Sequence, residues 1–201
     1  MGLFLLGVMA MLVGPPDTVQ ITVEGPPQKI VTEAGAGGYQ AFPDVCRLRS
    51  FPVVSLSDDR GKTWSAPHPI GLKAGKTLDE TDVFERKDGT LVAIMREVMC
   101  CAESKDGGKT WGPVYDLGFP GHCPYLLQTP DGVLLMAHRV PETSRHYSTD
   151  EGRTWHGPIL IDHVIGAYPS MVVLHDGRVL CVYYEEGAHS AIRAVTLHIT
   201  R

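Results

Sequence analysis

One eight-position pattern, Ser-x-Asp-x-Gly-x-Thr-Trp, occurs three times in this chain, starting at Ser57, Ser104 and Ser148, 47 and then 44 residues apart. A repeat of that length is the period of a four-stranded propeller blade, so the pattern constrains architecture before any single residue is considered. Each copy has the make-up of a tight hairpin turn. Asp59, Asp106 and Asp150 can accept backbone N–H bonds, Gly61, Gly108 and Gly152 can take positive φ, and Trp64, Trp111 and Trp155 can pack between blades. The boxes are therefore read as structural rather than catalytic, with their tryptophans expected to be mostly buried.

A second set of turns keeps time with the first. Asp88-Gly89, Asp131-Gly132 and Asp176-Gly177 recur after 43 and 45 residues, each between strand-like runs. A unit thus reads strand, Asp-Gly hairpin, strand, short loop, strand, box turn, strand. TDVFERK, TLVAIMRE and MCCAESK supply the second unit, and CPYLLQT, VLLMAHR and RHYSTD the third. No helical periodicity of useful length interrupts them, so the expected class is all-β, with about four blades of four antiparallel strands. The last unit, YPSMVVLH, RVLCVYYEE and AIRAVTLHIT, has three strands and no box. Its outer strand must come from elsewhere, and TVQITVE near the N-terminus is the available donor; such pairing hides two strand edges at once. The first unit is short, because Pro43 precedes Ser57 by 14 residues where Pro124 precedes Ser148 by 24. About one hairpin is missing there.

The 201 residues are 43% hydrophobic and 20% charged, enough to build a real core. A net charge of −5 and a pI near 6.0, without any Lys/Arg cluster, offer no footprint for nucleic acid or an anionic membrane surface. Small molecules or neutral polymers are the expected partners. Five cysteines (Cys46, Cys100, Cys101, Cys123 and Cys181) form no CxxC and are read as small buried hydrophobes. Nine scattered histidines, with His122 and Cys123 lacking a spaced partner pair, imply no metal and no cofactor. The apolar run GLFLLGVMAMLVG resembles the core of a secretory signal and is too short to span a bilayer, though neither a preceding Lys or Arg nor an A-x-A site accompanies it. Residues 1–17 are accordingly read as a signal peptide, 18–37 as an N-terminal strand and Pro/Gly-rich linker, and 38–201 as the propeller. The mature chain is expected to be secreted or periplasmic, with no membrane span.

From about residue 38 onward the boxes and their phasing resemble the Asp-boxes, or BNR repeats, of the sialidase (neuraminidase) superfamily. The resemblance implies a six-bladed propeller, of which this chain would hold a shortened version, and a glycoside hydrolase acting on glycans. It also implies three arginines holding a substrate carboxylate, a tyrosine nucleophile with a glutamate as its base, and an aspartate as acid/base. A neutral tyrosine suits an anionic substrate, which would repel a carboxylate nucleophile. GAYPSMVVLHDGRVLCVYYEEG resembles the nucleophile segment and places Tyr168 on it. ETDVFERKDGTLVAIMRE places Glu80 and Arg96 on the base and the second arginine. Asp82, two residues on and on the same face of a regular strand, competes with Glu80. LLMAHRVPETSRHYSTD resembles the third-arginine segment. Arg145 is preferred there because it lies just before the third strand, while Arg139 matches Arg96 within its own unit.

Two departures weigh against full activity. Ala41, within Tyr39-Gln40-Ala41-Phe42-Pro43, stands where the first arginine of the family would be. The acid/base aspartate belongs on the missing hairpin, and Asp44 lies beside the proline instead. Weak or absent turnover of sialosides is therefore expected. The competing readings are a non-catalytic propeller binding glycan or protein, and a shortened gene product without activity of its own.

Overall fold

The computed structural model describes residues 19–31, 52–70, 78–96, 98–187 and 190–200. The N-terminal apolar run, Ala41, Asp44 and Cys46 lie outside them. The described residues contain no helix. They form three four-stranded antiparallel sheets and one two-stranded ladder, β2 (Val53–Val54) with β3 (His68–Pro69).

One sheet contains β4 (Asp79–Glu85), β5 (Leu91–Arg96), β6 (Val98–Ser104) and β7 (Tyr115–Pro120) in order; the next contains β8 (His122–Gln128), β9 (Leu134–Arg139), β10 (Thr143–Ser148) and β11 (His156–Asp162). The last contains β12 (Gly166–Val173), β13 (Val179–Glu185) and β14 (Ile192–Thr200), and its fourth strand is β1 (Gln20–Val31). Gln20 pairs with Thr200 and Glu24 with Thr196, so the N-terminal strand covers the edge of the C-terminal one, as the missing fourth strand required.

The first strands of the three sheets pack side by side, β4 on β8 and β8 on β12. They hold one end of every sheet near a common centre. Strand alternation then sends side chains to two interfaces per sheet. Val92, Ile94, Met99 and Cys101 face Met136, while Leu135, Ala137 and Val133 face Met171, Cys181 and Tyr183. Ala93, Met95 and Cys100 meet Ile70 and Leu78 beside the two-stranded ladder. Full burial of each such side chain contributes about 1.5 to 3 kcal/mol, so these seams between sheets are the main source of stability. Cys100, Cys101, Cys123 and Cys181 are all buried within this packing, and none of the four is in a disulfide.

The boxes close on themselves. In each, the serine hydroxyl donates to the aspartate and accepts from the glycine N–H, with Gly61, Gly108 and Gly152 bonded at 2.7, 2.8 and 2.8 Å. The aspartate also accepts from the backbone and hydroxyl of the threonine four residues on. Backbone and side-chain bonds from Thr63 hold the Asp59 carboxyl down at about 2, and bonds from Thr110 do the same for Asp106.

The tryptophans correct one expectation. Trp155 packs with Phe84 and Ile94 of the preceding sheet, and Trp111 packs with Val54 and Ile70 of the ladder before it. Both are half-buried. Trp64 is 65% exposed. Trp111 and Trp155 pack backwards onto the unit before their own, and among the described residues Trp64 has no such cover.

Candidate functional site

Three backbone irregularities build the site. Each inner strand slips register against its neighbour, between Asp79 and Asp82, between His122 and Tyr125, and between Ala167 and Ser170. Inside each slip one non-glycine residue takes positive φ: Glu80 at 44°, Cys123 at 53° and Tyr168 at 47°. Such bulges turn a side chain out of strict alternation, and left-handed backbone at a non-glycine residue is costly, so its recurrence marks positions with work to do.

The bulges bring together residues 88 positions apart. The Tyr168 hydroxyl donates to Glu80 Oε1 at 2.7 Å. Arg96 Nη1 lies 2.8 Å from the same oxygen, and the Cys123 N–H donates to Glu80 Oε2 at 2.9 Å. Burial works to raise the Glu80 carboxyl, but the Tyr168 and Cys123 bonds and the Arg96 charge outweigh it, leaving it below its ordinary value. It is thus a carboxylate at neutral pH, able to accept a proton. Burial, followed by the bond to Glu80 and its charge, raises the Tyr168 phenol, which rests protonated. The Cys123 thiol is pushed up to about 12, mainly by burial, so its contribution is its backbone N–H rather than a thiolate.

Arg139 completes the other side of the cleft. Its Nη1 is in contact with Glu186 Oε1, which also accepts from the Tyr184 hydroxyl at 3.1 Å. The Tyr184 ring stacks on Tyr168 with centroids 6.1 Å apart. Burial works to lower the Arg139 guanidinium while the charges of Glu186 and Glu80 raise it, which places both arginines around one group of residues. Among the described residues, no set of three His, Cys, Asp or Glu side chains is arranged to hold a metal ion.

Two expected site residues are placed elsewhere. Arg145 is fully buried between sheets; its Nη2 donates to the Ile21 carbonyl of β1 at 3.3 Å, and burial pushes its guanidinium down to about 10. On β10 its side chain points with Thr143 and Tyr147 towards the β12–β14 sheet, away from the cleft, so the preference for Arg145 over Arg139 is reversed. Asp82 does not share a face with Glu80, because the bulge between them breaks the two-residue alternation. Its carboxylate accepts from Leu126 N–H at 2.7 Å and stitches β4 to β8, while burial raises its pKa.

Sequence reasoning missed Cys123, Tyr184 and Glu186. A signal for the first two existed. Glu80, Cys123 and Tyr168 each lie eight residues before an Asp-Gly turn, and Arg96, Arg139 and Tyr184 each lie eight after the aspartate of one. The hairpins therefore deliver equivalent positions to the cleft in pairs. Glu186 follows β13 and had no such marker.

Four-stranded sheets with a box turn before the outer strand, a last sheet completed by the N-terminal strand, and inner ends gathered round a tyrosine and glutamate define an all-β protein of the Asp-box propeller class. Residues 52–181 match the model of the BNR repeat-like domain, and the chain belongs to that family. A sialidase of Micromonospora viridifaciens is 29% identical over 167 residues, covering 72% of this chain and 25% of the relative. The crystal structure of a protein of unknown function from Dyadobacter fermentans superposes with a TM-score of 0.66 at 29% identity, over 73% of this chain and 45% of that one. Trypanosoma rangeli sialidase in complex with sialic acid matches in fold, with a TM-score of 0.50 at 17% identity over 73% of this chain and 26% of that one. The chain thus spans between a quarter and a half of the length of these relatives.

Proposed function

We propose that the cleft is a glycoside-hydrolase site of the sialidase type, acting on a glycan. The observation that carries this reading is the 2.7 Å bond from the Tyr168 hydroxyl to Glu80, whose other oxygen and charge are held by Cys123 N–H and Arg96. A phenol is a poor nucleophile at neutral pH without an adjacent base. Glu80 supplies one. As Tyr168 Oη forms its bond to the anomeric carbon, the phenolic proton passes to Glu80 and the glycosidic C–O bond breaks. In the second half, Glu80 returns that proton to the departing phenol as water attacks the anomeric carbon and gives up one proton to solvent. Arg96, on the same carboxylate, favours its ionised form and holds it in line.

Protonation of the first leaving group has no assigned donor, since the acid/base aspartate was expected on the hairpin the first unit lacks, and Ala41 stands where a clamp arginine was expected. Slow turnover, best with leaving groups that need no proton, follows from this. The same departures support a second reading, glycan binding without turnover. Export is part of the proposal, on the strength of the N-terminal apolar run.

The test is a panel of fluorogenic aryl glycosides, including a sialoside, offered to the purified protein. Turnover of at least one, reduced by about 10³-fold or more in Tyr168→Phe, is the expected result. Turnover that survives this change intact rules the site out.

A further inference from the structure

Resting on the reading of Tyr168 and Glu80 as nucleophile and base, we propose that the Cys123 side chain is the positioning residue of the pair, a thiol seated between them that ties both to β8. β8 packs against β4 on one side and β12 on the other, so its bulge lies where Glu80 and Tyr168 approach each other. Cys123 occupies that bulge at φ 53° and is only 3% exposed. Three bonds tie it to the pair. Its N–H donates to Glu80 Oε2 at 2.9 Å, its thiol bonds the same carboxylate, and its sulfur accepts from the Tyr168 N–H.

Each side-chain bond has a consequence for the reaction. A carboxylate can only accept, so the thiol bonded to it donates, which favours the ionised form that acts as a base. Burial suits the thiol to this task by keeping its proton on sulfur at neutral pH. The bond from Tyr168 N–H fixes a backbone held at φ 47°, and with it the direction from which the phenol reaches Glu80. The other groups facing Glu80 are Tyr168 from β12, Arg96 from β5 and, through its charge, Arg139 from β9, while Asp82 is turned to Leu126. Cys123 acts through the pair and is not itself a catalytic residue.

The experiment separates side chain from backbone. Cys123→Ala keeps the N–H bond to Glu80 and removes both thiol bonds, whereas Cys123→Ser offers a donor and an acceptor again. The Glu80 carboxyl is followed in the full chain by carbon NMR across pH, its signal identified by its loss in Glu80→Gln, and the same variants are assayed on the aryl glycoside panel. Loss of a donor to the carboxylate raises the pH at which Glu80 ionises, so in Cys123→Ala both its titration and the acid limb of kcat should move up by about one pH unit. On the plateau kcat should fall about tenfold with KM within about twofold, and Cys123→Ser should stay within about threefold of wild type. Cys123→Gly, which suits the positive φ, gives the same comparison should alanine lower the melting temperature. A Glu80 titration that stays put in the alanine and glycine variants, or moves equally in the serine variant, overturns the assignment whatever the turnover. A titration that moves as expected while no glycoside is turned over supports Cys123 as the anchor of the pair and overturns the glycosidase reading instead.

Discussion

The box turns and the inner bulges are two ends of the same repeat, and they have met opposite fates. The three boxes keep the same side chains and the same bonds, nearly all within four residues of each other. The three bulges keep the same backbone, with Glu80, Cys123 and Tyr168 at nearly the same φ, yet carry an acid, a thiol and a phenol whose partners lie 43 and 88 residues away. A turn that satisfies itself depends on its own composition, so every copy must retain it. A bulge whose side chain points to a shared centre is free to vary, and the centre needs several different groups. Repetition supplies the frame at one end and chemistry is assembled from the differences at the other.

The largest expected effect lies at the bulges. Glu80→Gln keeps the shape and removes the proton acceptor, and should lower any measured turnover by about 10² to 10⁴-fold with little change in melting temperature. An equal loss from Ser148→Ala, at the far end of the repeat, would erase the contrast between the two regions.

Stability should show the reverse pattern. Trp155→Ala removes a ring packed on the preceding sheet and should cost about 3 kcal/mol in denaturant unfolding, whereas Trp64→Ala should cost less than about 1 kcal/mol. Equal losses would show that the first box is covered in solution. Next in size is an acid effect at the seam between β7 and the β9–β10 pair. His138 Nε2 and His146 Nδ1 share a 2.8 Å hydrogen bond, and the His146 ring stacks on Phe119. Burial pushes both imidazoles down to about 4, with the neighbouring His146 charge adding to the shift at His138. The unfolded chain binds protons below its ordinary histidine pKa of about 6.5 and the native pair does not. Stability is therefore intact above that pH and falls progressively as pH drops from 6.5 towards 4. Urea midpoints that stay flat across this window would contradict the buried pair. Ser148→Ala strips one box of its fully buried hydroxyl and should cost about 1 to 2 kcal/mol while leaving turnover within twofold.

What the amino-acid sequence determined by itself was everything with a local cause. The box turns, the Asp-Gly hairpins, the strand runs between them and the need for a donated outer strand all follow from residues a few positions apart, because turn chemistry and strand alternation act over that range. It also pointed to Tyr168, Glu80 and Arg96 through a resemblance carried by their flanking segments. Tertiary structure alone decided the remainder. The bulge between Asp79 and Asp82 separated two acids that a regular strand would have put on one face, which turned Asp82 into a stitch between strands. The packing of one sheet on the next buried Arg145 and left Arg139 in the cleft. Glu186 found its arginine from another sheet, and Trp64 stayed exposed while Trp111 and Trp155 packed on the units before theirs. In each case the deciding contact joins different sheets, and no spacing along the chain encodes which sheets will meet.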